Sequence, residues 1–323
     1  MFYLGVDVSK KTLDCMLFNS STNKSKSKSI PNTTAGFQQL LEWLAKQGAP
    51  NAHVVLEPTG VYHEPAALAL ADAGLTLSLV NPAQLRQFAL ALGFKTKTDK
   101  ADSLVLARYG ATQQPEAWQP PSKSARRLKA LLARRDAVAD DIQREQNRLE
   151  ASEFGDSPSE VRASINKSIE FLEGELQALE TMIQDHIDDD PDLRSNRKLL
   201  ESIPGVGERV STHMTALFAA KTFTSAEQLA AYLGLVPVQW ESGSSVRGRP
   251  RMSKAGPKHL RKLLYMPAVT ARRWNPHIKA MSDRLLAKGK TIMAVIGACM
   301  RKLAHLCFGV IHSRKPYEQN YAM

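Results

Sequence analysis

Asp99 and Asp102 stand three residues apart in Lys97-Thr98-Asp99-Lys100-Ala101-Asp102, at the start of an apolar-periodic run (Leu104, Val105, Leu106). On a helix that spacing puts both carboxylates on one face. Lys95, Lys97, Lys100 and Arg108 surround them, a mixture that suits acids holding a cation beside bases holding phosphates. Asp is also an ordinary residue at an N-cap or in a first turn, so the pair gains chemical meaning only from partners elsewhere. Phe2-Tyr3-Leu4-Gly5-Val6-Asp7-Val8 reads as a buried strand ending with an acid, and His53-Val54-Val55-Leu56-Glu57 as a second. A carboxylate in a buried strand needs a counter-charge or a metal. Either acid alone could be capping or solvated. Asp7, Glu57, Asp99 and Asp102 together fit a site in which carboxylates clamp divalent ions for in-line phosphoryl transfer.

A second constellation lies far along the chain. Trp240-Glu241-Ser242-Gly243-Ser244-Ser245-Val246-Arg247-Gly248-Arg249-Pro250-Arg251-Met252-Ser253-Lys254-Ala255-Gly256 is rich in hydroxyls, glycines and cations, and Arg247 to Arg273 holds nine Arg or Lys and no acid. Small residues let a backbone approach a bulky partner, and the Arg fork suits phosphate. This segment reads as a nucleic-acid contact loop. Its serines are ordinary loop residues, or one is a nucleophile among cations that stabilise the attacking and departing oxygens. Upstream, Ile203-Pro204-Gly205-Val206-Gly207-Glu208 joins two helices. It is either a tight interhelical turn or a helix-hairpin-helix element whose backbone N–H groups at Gly205 and Gly207 meet a phosphate.

The elements that must position these groups follow from periodicity. In the first part of the chain the order is three strands, helix, strand, helix, strand, helix, helix, with the polar hairpin Ser20-Ser21-Thr22-Asn23-Lys24 and caps at Asn32 or Thr33 and at Asn81-Pro82. The acids fall at two strand ends and on the last helix, and strand ends at one edge of a partly parallel sheet are where such folds place their sites. A Pro-, Gln- and Ser-rich connector, 115–124, marks the first boundary. Val161, Ile165, Ile169, Leu172, Leu176, Leu179, Ile183 and Ile187 then recur at three and four, which predicts a helix roughly 40–45 Å long in a solvated coiled-coil hairpin or dimer arm. Beyond it, Leu260–Ala271 and Thr291–Val310 read as amphipathic helices, and His305, His312 and Met300 as packing or surface groups. The cluster Asp188-Asp189-Asp190-Pro191-Asp192 reads as solvated.

Charge follows the same division. Residues 1–110 carry net +3, residues 111–190 net −7 and residues 191–323 net +15, within a chain of 323 residues and +11. An acidic spacer between two polyanion-facing domains fits that pattern. No run of about 18 apolar residues predicts a membrane span. Met1–Lys11 has no signal-peptide pattern, and Cys15, Cys299 and Cys307 form no disulfide framework or metal-ligand spacing. The expectation is a protein of a reducing cytoplasm, acting at the nucleoid, with no membrane partner.

With these residues in view the chain resembles the insertion-sequence 110 transposases, RNA-guided recombinases that use a bridge RNA. The match runs through Gly5-Val6-Asp7-Val8-Ser9-Lys10, Glu57-Pro58-Thr59-Gly60, Asn81-Pro82, Lys97 to Asp102, Leu200 to Gly207, Glu241 to Ser245 and Arg251 to Gly256. The resemblance implies an α/β ribonuclease H-like (RuvC-like) N-terminal domain at 1–117, a long helical coiled-coil arm at 118–190, and a mostly α-helical C-terminal transposase domain at 191–323. It implies a Mg²⁺ site, with Mn²⁺ as substitute, made by Asp7, Glu57, Asp99 and Asp102. Ser242 is implied as the nucleophile, with Ser244 and Ser245 as alternates. Implied partners are donor and target DNA, a structured bridge RNA, and further copies of the chain, a dimer assembling to a tetramer on DNA. Lys97, Lys100, Gly205, Gly207, Arg247, Arg249, Arg251 and Lys254 are the expected nucleic-acid contacts. The rivals are a metal-dependent RuvC-like nuclease or Holliday-junction resolvase, with water in place of Ser242, and a non-catalytic nucleic-acid-binding protein.

Overall fold

Three antiparallel strands open the chain: Phe2–Val8 (β1), Thr12–Asn19 (β2) and Lys24–Pro31 (β3). Alternation along them decides which face each side chain takes. The computed structural model describes residues 1–58, 60–93, 98–239, 241–242, 246–247 and 250–319; at Asp99, Glu241, Ser242, Val246 and Arg247 it describes the backbone alone. Lys95, Lys97, Ser244, Ser245 and Arg249 therefore lie outside the described residues.

Helix α1 (Thr34–Lys46) starts where the Thr33 side chain accepts from the Gly36 N–H, one of the two positions expected for that cap. It leads to His53–Leu56 (β4), parallel to β1. Helix α2 (Glu64–Asp72) returns to Leu77–Leu79 (β5), parallel to β4. Helices α3 (Pro82–Ala91, capped by Asn81) and α4 (Asp99–Gln113, capped by Thr98) follow. The five-stranded mixed sheet has the order β3-β2-β1-β4-β5.

Each face of the sheet buries its own core. Leu4, Val6, Leu13, Cys15, Leu17, Val54 and Leu56 pack with Phe37, Leu40 and Leu44 of α1 and Ala66, Ala67 and Leu70 of α2. On the other face Tyr3 and Phe18 meet Ala107, while Val55 packs with Leu85, Val105 and Leu106. Gly5 is what lets α4 lie directly on β1: an added Cβ would stand 2.0 Å from the Ser103 carbonyl oxygen and 2.5 Å from the Ala107 nitrogen.

The chain forms two compact units, Met1–Pro120 and Pro121–Met323. The second begins with α5 (Lys123–Phe154) and α6 (Ser159–Asp189), an antiparallel pair in which Leu128 and Leu132 meet Ile183 and Ile187, and Val138 and Ile142 meet Leu179. The apolar repeat of α6 outruns this packing, since Val161 is exposed. At the base of the pair, the Ser124 hydroxyl donates to Asp190 at 2.5 Å. Asp190 also caps α7 (Pro191–Glu201) by accepting from the N–H groups of Asp192 and Leu193, so part of the acid cluster has a structural role.

Helices α8 (Glu208–Ala220) and α9 (Ala226–Tyr232) precede four two-residue strands: Pro237–Val238 (β6), Glu241–Ser242 (β7), Val246–Arg247 (β8) and Arg251–Met252 (β9). Helices α10 (Lys258–Leu263), α11 (Tyr265–Trp274), α12 (Pro276–Ala287) and α13 (Ile292–Ser313) close the unit. The helix expected over Leu260–Ala271 is two helices. Pro267 has no N–H for the Leu263 carbonyl, and its ring crowds that turn. Helix α13 is long and apolar enough to cross a membrane by composition, but Val295, Cys299, Leu303 and Val310 bury it in the core of this unit. Met300 lies in that core, and His312 stacks on Phe308.

Candidate active site and nucleic-acid surface

One lateral row of polar side chains crosses the sheet. Asp7 pairs with Asp14, and Asp14 pairs with Ser29. On the other flank of β1, Val6 stands opposite Leu56, so Glu57, the next residue of a parallel neighbour, follows beside Asp7. Paired residues share a face. Asp7 lies two positions from Gly5 and therefore faces α4. Asp7, Asp14 and Glu57 are each half-buried.

Helix α4 runs back along β1, because Gly5 meets Ser103, Leu106 and Ala107 while Gly110 meets Tyr3 and Val55. Advancing from Gly5 to Asp7 covers about 6.6 Å of strand, or about four helical residues. The first turn of α4 thus arrives above Asp7. Its residues divide into two stripes. Val105, Leu106 and Tyr109 lean toward Val55 and Val80, whereas Leu104, Ala107 and Ala111 lean toward Tyr3 and Phe18. Asp102 continues the first stripe, on the side of Asp7 and Glu57, and is half-buried. Lys100 continues the second and lines a cavity of about 40 Å³ with Asp14, Ser27, Ser29 and Ser103.

Capping does not account for the two acids of α4. The cap is Thr98, whose hydroxyl accepts from the Ala101 N–H at 3.2 Å. The donor set at this edge is carboxylate oxygen, which fits a hard divalent ion such as Mg²⁺ and not a thiolate-seeking one. Among the described residues no three His, Cys, Asp or Glu side chains form a ready ligand cluster, and the Asp99 side chain lies outside that set. The Cys15 thiol is inert: burial, then the neighbouring Asp14 charge, push it far above its ordinary value. His53, whose value burial lowers, hydrogen-bonds Ser78 at 2.8 Å at the start of β4 and serves packing.

Ser242 lies in a small β-ribbon. It pairs with Val246, and Glu241 with Arg247. Pairing of Pro237 with Met252 and Val238 with Arg251 forms the stem. The stem is tied to the helical core where Gly234 and Gly256 leave no room for a side chain: a Cβ on either would meet a backbone oxygen at 2.0 Å or less. The Arg261 guanidinium donates to the carbonyls of Leu233 and Ala255 at 3.1 and 3.0 Å. Arg251 and Lys254 are exposed beside the stem. The two turn glycines differ. A Cβ at Gly205, φ 101°, would meet the Ala271 side chain at 2.7 Å, so packing against α11 explains it. Gly207 is open, at the N-cap of α8. Asp14 and Arg261 are the site groups that sequence reasoning missed. A charge inside the apolar run Leu13–Phe18 was the available signal for Asp14.

A mixed sheet in this order, with acids along one edge beneath a helix, defines a ribonuclease H-like unit. Residues 4–152 match a family model described as a transposase, of the DEDD type of insertion element IS110. Residues 197–283 match the Transposase IS116/IS110/IS902 family. The pilin gene-inverting protein of Moraxella bovis is 32% identical over 321 residues, covering 98% of each chain. The protein of the same name from Moraxella lacunata matches to the same extent. The chain belongs to the IS110 family of transposases. An uncharacterized 43.6 kDa protein of insertion element IS110 from Streptomyces coelicolor is 26% identical over 159 residues, 49% of this chain and 38% of its own. Among solved structures, T. thermophilus RuvC in complex with a Holliday junction substrate covers 35% of this chain and 96% of RuvC, at 16% identity and TM-score 0.27. A likeness of that size adds nothing to the strand order.

Proposed function

We propose that this transposase is a site-specific DNA recombinase in which Asp7, Glu57, Asp99 and Asp102 hold Mg²⁺ or Mn²⁺ and Ser242 is the nucleophile. The observation that carries the reading is the carboxylate row: Asp7 and Glu57 follow one another across β1 and β4, and the α4 first turn lies above them. The Ser242 oxygen attacks a DNA phosphorus and loses its proton. A phosphoserine bond forms, one P–O bond to the deoxyribose breaks, and the departing oxygen takes up a proton. Attack by a hydroxyl of the other strand reverses the step and releases serine, so no external energy source is needed. When bound, the divalent ion neutralises phosphate charge and eases deprotonation of the hydroxyl. Arg251, Lys254, Lys100 and, by sequence, Lys97, Arg247 and Arg249 meet the phosphates, with Gly207 as a backbone contact and Gly205 shaping its turn.

A structured bridge RNA sets the target by base pairing, and the carboxylates of one protomer meet the serine of another in a dimer that assembles to a tetramer on DNA. Residues 1–117, 118–190 and 191–323 act as carboxylate domain, coiled-coil arm and transposase domain in the bacterial cytoplasm. The pilin gene-inverting relative is named for a DNA rearrangement, which supports recombination over simple hydrolysis. The test is a denaturing gel with end-labelled DNA and any co-purifying RNA. Wild type leaves protein covalently on DNA, and Ser242→Ala or Asp7→Ala abolishes that band. Strand transfer that persists in Ser242→Ala overturns the nucleophile assignment, cleavage without a protein adduct points to a resolvase, and ribonuclease treatment that changes nothing removes the RNA.

A further inference from the structure

Asp14 carries no role in the chemistry proposed above, yet it stands in the same lateral row as Asp7 and Glu57, directly opposite Asp7 and on the α4 side. Like charges facing each other across an antiparallel pair repel, so a cation beside Asp14 eases the strain on this face. Strand β3 does not supply one. Its serines at 25, 27 and 29 take the α4 side, while its lysines take the α1 side, where Lys26 donates to Gln47 and Lys28 to the Gln39 carbonyl. On α4 itself, Arg108 lies two turns on, over the Phe18 ring. The cavity beside Asp14 is lined by Lys100 from α4 and by Cys15, Ser27, Lys28, Ser29 and Ser103; with the Lys28 ammonium engaged by the Gln39 carbonyl, Lys100 is the lysine left to meet Asp14.

We propose that Asp14 is a positioning residue that holds the Lys100 ammonium at the rim of the carboxylate row, where it meets a DNA phosphate. This rests on the reading of the row as a DNA-cleaving centre. An unrestrained lysine side chain surrenders much rotamer freedom when it grips a phosphate, and a carboxylate that orders it beforehand removes part of that cost.

Charge alone and positioning predict opposite signs. Removing a carboxylate from a DNA-facing surface lessens repulsion and tightens binding. Removing a carboxylate that orders Lys100 weakens binding, and only while Lys100 is present. Full-length protein is titrated into a fluorescent DNA duplex of arbitrary sequence in EDTA, at fixed salt, using wild type, Asp14→Asn, Lys100→Met and the double variant. Asp14→Asn is expected to bind roughly two- to five-fold more weakly, the size of one exposed charge interaction. The double variant is expected to bind no worse than Lys100→Met. Asp14→Glu, which keeps the charge, recovers most of the loss, and Asp14→Ser repeats the measurement should the Asn variant melt early. Tighter binding by Asp14→Asn, or the same loss with Lys100 absent, overturns the proposal. Because binding in EDTA requires no cleavage, Asp7→Ala and Ser242→Ala proteins that keep full activity would refute the cleaving centre separately.

Discussion

A single methyl group at position 5 collides with backbone, not with a side chain that could swing away. The added carbon of Gly5→Ala would lie 2.0 Å from the Ser103 oxygen, whereas ordinary contact begins at 3.4 Å. Helix α4 must therefore lift from β1 by about 1.4 Å, the difference between those distances. Overpacking of this kind costs about 1–3 kcal/mol, which for a unit of this size lowers the thermal midpoint by roughly 10 °C at the upper end. The functional loss is larger, because the same movement carries Asp99 and Asp102 away from Asp7 and Glu57. Misplacement by about 1 Å costs about 100-fold in rate. The measurements are circular-dichroism melting and DNA cleavage well below the melting range. Gly174→Ala is the control: nothing lies within 4 Å of its added carbon in the middle of α6, and relief of glycine entropy raises stability by about 1 kcal/mol. A Gly5→Ala protein with the wild-type midpoint and undiminished cleavage would refute the claim that this contact sets the site.

Further outcomes concern the second unit. His213 presents Nε2 to Asp136 at 3.0 Å and Nδ1 to the Arg209 carbonyl at 2.8 Å, joining α8 to α5. Burial pushes the Asp136 carboxyl up, but the hydrogen bond and charge of His213, with Arg135 and Arg209, outweigh it and hold the group below its ordinary value. A depressed carboxyl stabilises the fold above its unfolded value of about 3.9, and the contribution disappears as pH falls through the folded value. Asp136→Asn therefore loses stability at neutral pH and shows a shallower decline below about pH 4, read from urea midpoints between pH 7 and pH 3. Wild-type and variant curves that stay parallel would sink this account. Arg261→Met loses both carbonyl contacts that tie down the ribbon stem. It is expected to speed proteolytic nicking at 240–250 and cut DNA cleavage roughly ten-fold, about 1.4 kcal/mol, while near-wild-type nicking would exclude an anchoring role.

Local pattern carried much of this protein. Alternation along Phe2–Val8 and His53–Leu56, the caps at Thr33 and Asn81, and the three-four spacing ending at Ile187 are properties of neighbouring residues, so elements and several boundaries were readable from local residue order alone. The break at Leu264 is legible too, from Pro267. What periodicity cannot supply is register between distant segments. That Asp14 stands beside Asp7, and that Lys100 leans one way while Asp102 leans the other, depends on which strand α4 covers and how closely it lies. The sequence by itself determined the acids, the hydroxyls and the cations; the tertiary structure alone decided their neighbours, because a side chain's partner is chosen by packing across the fold and not by its place in the chain.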